Sequence, residues 1–133
     1  MTFNSMKSRV LPLFVLAMSP MLEAKPSKKQ GEERSIAVQS VEVDTENELF
    51  VFQVSYAGGC EAHKFQIDTG SCQETFPVSC PDARLRHFSN DTCKAIVSEE
   101  VTISFEEAGI DSYYSEAGLV FQGRYELTLP AID

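Results

Sequence analysis

The stretch LFVFQVSY, residues 49–56, decides the fold class of this 133-residue chain. Six of its eight residues are aliphatic or aromatic, and the β-branched and aromatic types among them favour strands. Apolar residues occupy both faces of the alternating pattern, so the stretch predicts a central strand that is covered on both sides. The preceding TENE, residues 45–48, predicts the turn that leads into it.

Strand patterns continue on both sides of this stretch, in residues 36–43, 62–68, 84–88, 93–105 and 120–129. In segment 93–105 apolar residues occupy every second position, but Glu99 stands where the pattern calls for an apolar residue. This interruption predicts a β-bulge at Glu99. Segment 120–129 alternates throughout and predicts an inward-facing strand, whereas 106–118 predicts a short helix or a loop. Six or seven short strands separated by turns predict a mainly β fold, an antiparallel β-sandwich or barrel stapled by disulfides.

The N-terminal 24 residues have the features of a secretory signal peptide. Lys7 and Arg9 precede an apolar run over residues 10–18, and Ala24 provides a small residue at the exit. The run is about half the roughly 20 residues that a spanning helix needs, so we expect no transmembrane anchor. Residues 25–35 contain no large apolar side chain and predict a flexible tether. A single β domain over 36–133 and a periplasmic or secreted location follow.

The charge of the chain excludes some classes of partner. The net charge is −9, and removal of residues 1–24, which contain two basic residues and one acidic residue, leaves −10. Such a surface repels phosphate backbones, so we expect neither nucleic-acid binding nor binding to anionic membranes. A cationic partner would be attracted.

Four cysteines, Cys60, Cys72, Cys80 and Cys93, predict two disulfides in an oxidising compartment, with three possible connectivities. We favour the nested pairing of Cys60 with Cys93 and of Cys72 with Cys80. The outer bridge, Cys60–Cys93, would tie the end of one strand to the start of another. The inner bridge would then close the loop over residues 73–79. Zinc binding does not fit, because eleven, seven and twelve residues separate successive cysteines, whereas structural zinc sites use much closer pairs.

His63, His87 and Asp91 form the one candidate ligand or structural cluster. If Cys60 and Cys93 are bridged, His63 and Asp91 lie near opposite ends of that bridge. We favour two half-buried structural histidines, with Asp91 accepting a hydrogen bond from one of them. The alternative is a metal site with two histidines and one carboxylate. No cofactor is predicted.

The tetrapeptide DTGS, residues 68–71, matches the signature of aspartic proteases. Those enzymes need two carboxylates that share one proton, so a single copy would require a homodimer. The supporting apolar-apolar-glycine segment is also imperfect, since Gln122 stands where an apolar residue belongs. Asp-Thr-Gly-Ser is equally a turn sequence, in which Asp68 bonds nearby backbone and Gly70 takes a positive φ. We therefore predict that Asp68 is a turn residue.

The residues around the outer cysteines also carry a resemblance. GGCEAHKF (residues 58–65), then His87, then DTCKA (residues 91–95), resembles the G-G-C-x-x-H-x-F … H … D-x-C-x-A pattern of small exported bacterial proteins. It is similar to the C-terminal β-sandwich domain of NigD-like proteins and covers roughly residues 49–105. The resemblance implies a β-sandwich and a Cys60–Cys93 bridge. It implies no activity, because the family has none established.

These observations predict a non-catalytic binding or envelope-associated module whose partner is an unknown protein or envelope component. One alternative is a secreted inhibitor of a cationic enzyme such as lysozyme. Another is a hydrolase, acting either through Asp68 in the manner of a retroviral protease or through a metal held by His63 and His87.

Overall fold

The computed structural model describes residues 31–133 of the chain. This part contains eight strands and two short helical turns, joined by loops. The strands are β1 (Glu32–Arg34), β2 (Ala37–Asp44), β3 (Leu49–Gly58), β4 (Lys64–Asp68), β5 (Ser79–Ser89), β6 (Ala95–Ser104), β7 (Gly118–Phe121) and β8 (Tyr125–Thr128). Helix α1 (Phe105–Ala108) and a 3-10 turn (Ser112–Tyr114) lie between β6 and β7. Neither helical turn has the length and apolar character needed to cross a membrane. The predicted mainly β class is confirmed, while the predicted signal peptide and residues 25–30 lie outside the described residues.

The strands form two sheets. In the five-stranded sheet, β5 pairs antiparallel with β1 and β4 and parallel with β7, and β7 pairs with β8. The other sheet has the antiparallel order β2-β3-β6. The β5–β7 pair departs from the predicted antiparallel pattern. Between β5 and β7 the chain passes through β6 of the other sheet and then through residues 105–117, and such a crossover connection is what allows a parallel pair.

Burial alternates along β3, the strand at the centre of the sequence pattern. Phe50, Phe52 and Val54 are buried on one face, whereas Gln53 on the other face is exposed. Phe50 and Phe52 meet the ring of Phe121 at centroid distances of 5.8 and 5.3 Å. The prediction that β3 is covered on both sides is therefore wrong, because its three-stranded sheet has the other sheet on one face only.

The predicted bulge at Glu99 is also wrong. Strand β6 pairs with β3 in one unbroken register, with Glu99 opposite Val54. The Tyr56 hydroxyl donates a 2.6 Å hydrogen bond to the Glu99 carboxylate. Because Tyr56 on the neighbouring strand binds its carboxylate, Glu99 can point towards the interior like the apolar residues of β6. The strand therefore needs no bulge to direct this side chain to solvent.

Two further segments differ from their predictions. Residues 120–129 form a hairpin and not one strand, because Gln122 and Gly123 take φ values of 55° and 71° at a turn. The Gln122 amide oxygen accepts a hydrogen bond from the Leu85 backbone at 2.8 Å and so continues the contact with β5. The end of the predicted tether is strand β1, which pairs with β5 and is fixed by an ion pair between Glu33 and Arg86 at 2.8 Å.

Two disulfides join Cys60 to Cys93 and Cys72 to Cys80, which confirms the nested connectivity. All four cysteines lie among the described residues, and none of them is free. The outer bridge connects the loop after β3 with the segment before β6, as predicted. Both bridges fit an oxidising compartment.

Candidate functional site

The structure brings the three predicted cluster residues, His63, His87 and Asp91, into direct contact. His63 Nδ1 lies 2.6 Å from His87 Nε2, and His63 Nε2 lies 2.9 Å from Asp91 Oδ2. On the far side, His87 Nδ1 lies 3.2 Å from the Ser35 carbonyl oxygen. The side chains form one hydrogen-bonded row from Ser35 to Asp91, and Asp91 accepts from a histidine as the structural hypothesis expects.

The outer disulfide positions the Asp91 carboxylate. Backbone N–H groups of Cys60 and Glu61 donate to Asp91 Oδ2 at 3.0 and 2.9 Å, and the Cys93 N–H donates to Oδ1 at 2.9 Å. These donors, those of Glu61 and Cys60 first, hold the pKa of Asp91 well below its ordinary value. Asp91 is only 3% exposed. It is therefore a buried carboxylate anion satisfied by backbone from both sides of the bridge.

Aromatic rings enclose the two histidines. The Tyr56 ring lies 4.4 Å from that of His63 and 4.7 Å from that of His87, and Phe65 stacks on His87 at 5.1 Å. Burial lowers the pKa of His87. Burial and the hydrogen bond to Glu99 raise the pKa of Tyr56 to about 12. His87 is only 1% exposed, whereas His63 also lines an open cavity of about 420 Å³ together with Phe65. The cluster is therefore mainly an interior feature, with His63 as its member nearest to solvent.

The geometry does not direct the three side chains at a common point. His63 uses Nε2 for Asp91 and Nδ1 for His87, and these nitrogens point away from each other across the ring. Among residues 31–133, Cys60, Asp91 and Cys93 are the set with ligand atoms within 4.8 Å of one another. The two sulfurs of that set are bonded to each other and are not available as thiolates.

Asp68 is the last residue of β4, and its side chain stabilises the turn that follows, in agreement with the predicted turn role. Its Oδ1 accepts a hydrogen bond from the Gly70 N–H at 2.9 Å, and Gly70 has a φ of 71°. Its Oδ2 lies 3.9 Å from both Arg84 and Arg86. The carboxylate thus closes the turn after β4 and faces the guanidinium groups of β5.

Within residues 31–133, the loop closed by the Cys72–Cys80 disulfide carries the most exposed large apolar side chain. We call this loop, residues 72–80, the bridged loop. Gln73 and Ser79 pair through two backbone hydrogen bonds of 2.7 and 3.2 Å directly inside the bridge. Phe76 stands at its tip and is fully exposed, at 104%. Val78 turns inward and is buried. The loop is therefore anchored at its base while it presents an aromatic ring to solvent.

A groove of about 290 Å³ runs beside the bridged loop. Phe76 and Val78 line it on the loop side, and Tyr113 of the 3-10 turn lines the other side. Tyr113 is 50% exposed and packs edge-on against Tyr114 at 5.0 Å. Among the described residues the large exposed apolar side chains are Phe76, Tyr113 and Ile96, and two of these three border this one groove.

Two carboxylates border the groove. Glu74 itself lines the groove, and Asp111 caps the 3-10 turn by accepting from the Tyr113 N–H at 3.0 Å. A carboxylate thus lies on each side of the aromatic groove, Glu74 on the bridged loop and Asp111 beside the 3-10 turn.

Sequence reasoning missed both aromatic residues of this groove. Phe76 lies between two cysteines eight positions apart, which is the signal that a covalently closed loop carries a large apolar side chain. Nothing local indicates that Val78 faces inward and Phe76 outward. Tyr113 carries no such signal, because its place beside the loop depends on the return of the chain from β6 to β7.

Comparison with known proteins returns no match to a family model, a curated protein or a solved structure. The resemblance to small exported bacterial β-sandwich proteins stays a hypothesis that is based on residues 58–95.

Proposed function

We propose that this protein is a secreted or periplasmic, non-catalytic binding module that holds a cationic protein partner through the bridged loop. The observation that carries the proposal is the pairing of Phe76 and Tyr113 on one groove, at the tip of a loop closed by a disulfide. Exposed aromatic groups concentrated in one place are typical of interaction sites.

The bridge supports this function by reducing the entropy cost of binding. A free nine-residue loop would lose much of its conformational freedom on contact, whereas the Cys72–Cys80 bond and the Gln73–Ser79 pair have already restricted it. Phe76 then serves as a pre-positioned anchor for an apolar pocket on the partner.

The surrounding carboxylates set the charge of the partner. An apolar pocket rimmed by lysine and arginine matches an aromatic groove flanked by Glu74 and Asp111, and this complementarity accelerates association. If the partner is a cationic enzyme such as lysozyme, a protruding loop of this shape would enter the substrate cleft and inhibit the enzyme. Inhibition of such an enzyme is our second candidate function.

Binding is favoured over hydrolysis by the surroundings of the candidate catalytic groups. Asp68 caps its own turn and lies near two arginines. The histidines are enclosed by aromatic rings and bonded to each other and to Asp91. In contrast, the bridged loop is open to solvent.

Site-specific photo-crosslinking tests the proposal in the producing cell. A photoreactive phenylalanine analogue replaces Phe76 in the full chain, and the same analogue replaces Ile96 in a matched control, because Ile96 is also largely exposed, at 76%. We expect a covalent adduct with one basic protein from position 76 and none from position 96. Purified lysozyme serves as a defined probe for the inhibitor form.

Affinity measurements with the captured protein complete the test. Phe76→Ser should weaken binding by about 30-fold or more, the loss typical of a central aromatic anchor. Ile96→Ser should leave the affinity within about threefold. Equal adducts from both positions, or an affinity insensitive to Phe76→Ser, would overturn the proposal.

A further inference from the structure

The hydrogen-bonded row through the histidines has ends that can only accept. At one end is the Ser35 carbonyl oxygen and at the other is the Asp91 carboxylate. Between them, the four ring nitrogens of His63 and His87 make three contacts, of 3.2, 2.6 and 2.9 Å. Every ring nitrogen is used, so the protons in the row can be counted.

Each contact needs one proton between its two heavy atoms. His87 Nδ1 must carry a proton to donate to Ser35, and His63 Nε2 must carry one to donate to Asp91. A third proton must lie between His63 Nδ1 and His87 Nε2, because two lone pairs at 2.6 Å would repel. Two neutral imidazoles hold only two ring protons. We propose that the His63–His87 pair is a buried proton-binding site that holds one extra proton at neutral pH, with Asp91 as its counter-ion.

The charged groups around the pair favour this extra proton. Asp91 and, from β6, Glu99 face it with negative charge, Arg34 faces it from β1 with one positive charge, and Tyr56 from β3 is neutral. Without the extra proton these charges sum to −1, and with it they sum to zero. Burial by itself lowers the pKa of His87 and so opposes the extra proton, but the buried Asp91 carboxylate, 2.9 Å from His63, offsets this cost and makes the protonated pair the stable form.

Two other ways to fill the row do not fit. Protonation of Asp91 would put a hydrogen on a carboxyl that already accepts from the backbone of Cys60, Glu61 and Cys93. A zinc ion between the histidines would hold the two nitrogens about 3.3 Å apart, given Zn–N bonds near 2.05 Å in tetrahedral geometry. The observed 2.6 Å admits a proton and nothing larger.

The site makes stability depend on pH in both directions. In the unfolded chain two ordinary histidines together bind two extra protons, beyond those of the neutral rings, well below pH 6.5 and none well above it. The folded pair holds one. Above pH 6.5 the folded state therefore binds more protons and loses stability as pH rises, and below it the unfolded state binds more and stability falls with pH. Stability should be greatest near pH 6.5.

The pH dependence of stability between pH 6.5 and 8.5 can be assigned to the histidine pair, because the chain has few other groups that titrate in this interval. His63 and His87 are its two histidines, and all four cysteines are in disulfides. If the folded pair keeps its proton, the folding equilibrium constant should fall by about 25-fold between pH 6.5 and 8.5.

Nitrogen-15 NMR of the full chain tests the proton count directly. At pH 7.5 we expect three ring protons on the two histidines, so that one of the two rings is protonated at both nitrogens. Urea unfolding at pH 6.5 and 8.5 gives the second measurement, and His63→Gln should abolish the loss of stability at the higher pH.

Two results would overturn the proposal: an unprotonated nitrogen on each ring at pH 7.5, or equal wild-type stability at the two pH values. Both are measured on the wild-type protein, so the test does not depend on the folding of the variant.

Discussion

Removal of each disulfide separately should show that the outer bridge contributes more stability than the inner one. A disulfide lowers the conformational entropy of the unfolded chain, and this loss grows with the logarithm of the number of residues in the loop that it closes. The sequence separations are 33 for Cys60–Cys93 and 8 for Cys72–Cys80. At 25 °C the loop-entropy relation gives about 3.7 kcal/mol for a separation of 33 and about 2.5 kcal/mol for one of 8.

The experiment compares the oxidised and reduced forms of two double variants. Cys72→Ala/Cys80→Ala keeps only the outer bridge, and Cys60→Ala/Cys93→Ala keeps only the inner one. Within each variant the sequence is constant, so the cavity left by the fully buried Cys80 cancels. Urea unfolding with and without reductant gives the contribution of each remaining bridge.

The expected difference between the two contributions is about 1.2 kcal/mol in favour of the outer bridge. Mass spectrometry of the non-reduced proteins checks that each variant forms its single bridge. An inner bridge that contributes as much as the outer one would refute the reasoning, since loop length would then not control the effect.

Three further substitutions test the packing. Gly58→Ala would place a Cβ 2.6 Å from His63 Nε2, and we expect a loss of about 1–3 kcal/mol in urea unfolding with shifted His63 ring signals in NMR. Asp68→Asn keeps an acceptor for the Gly70 N–H, so the free energy of unfolding should change by less than about 1 kcal/mol. Phe121→Ala removes a fully buried ring between the sheets and should cost about 3–5 kcal/mol, measured in the same way.

The features predicted correctly from the sequence are those encoded over short distances or by counting. Alternation over residues 49–56 indicates a strand whatever its neighbours are, and four cysteines without the spacing of a zinc site indicate two bridges. The meeting of His63 with Asp91 follows once Cys60 is tied to Cys93, because each lies within three residues of a bridge end.

The features that were missed depend on partners far along the chain. Strand β1 is polar, and it forms because β5 offers a free edge and Arg86 binds Glu33. The β7–β8 hairpin keeps an apolar alternation through its turn, so periodicity alone does not reveal the break at Gln122. The inward turn of Glu99 needs the hydroxyl of Tyr56, 43 positions away.

The two disulfides support separate features, and this separation lets the two proposals fail independently. Cys60 and Cys93 supply backbone donors to Asp91, so the outer bridge supports the charge that balances the buried proton. The Cys72–Cys80 bond closes the loop that carries Phe76. Opening the inner bridge should therefore weaken partner binding and leave the histidine ring signals in place. Opening the outer bridge should shift the histidine ring signals, because it releases the Asp91 carboxylate that binds His63.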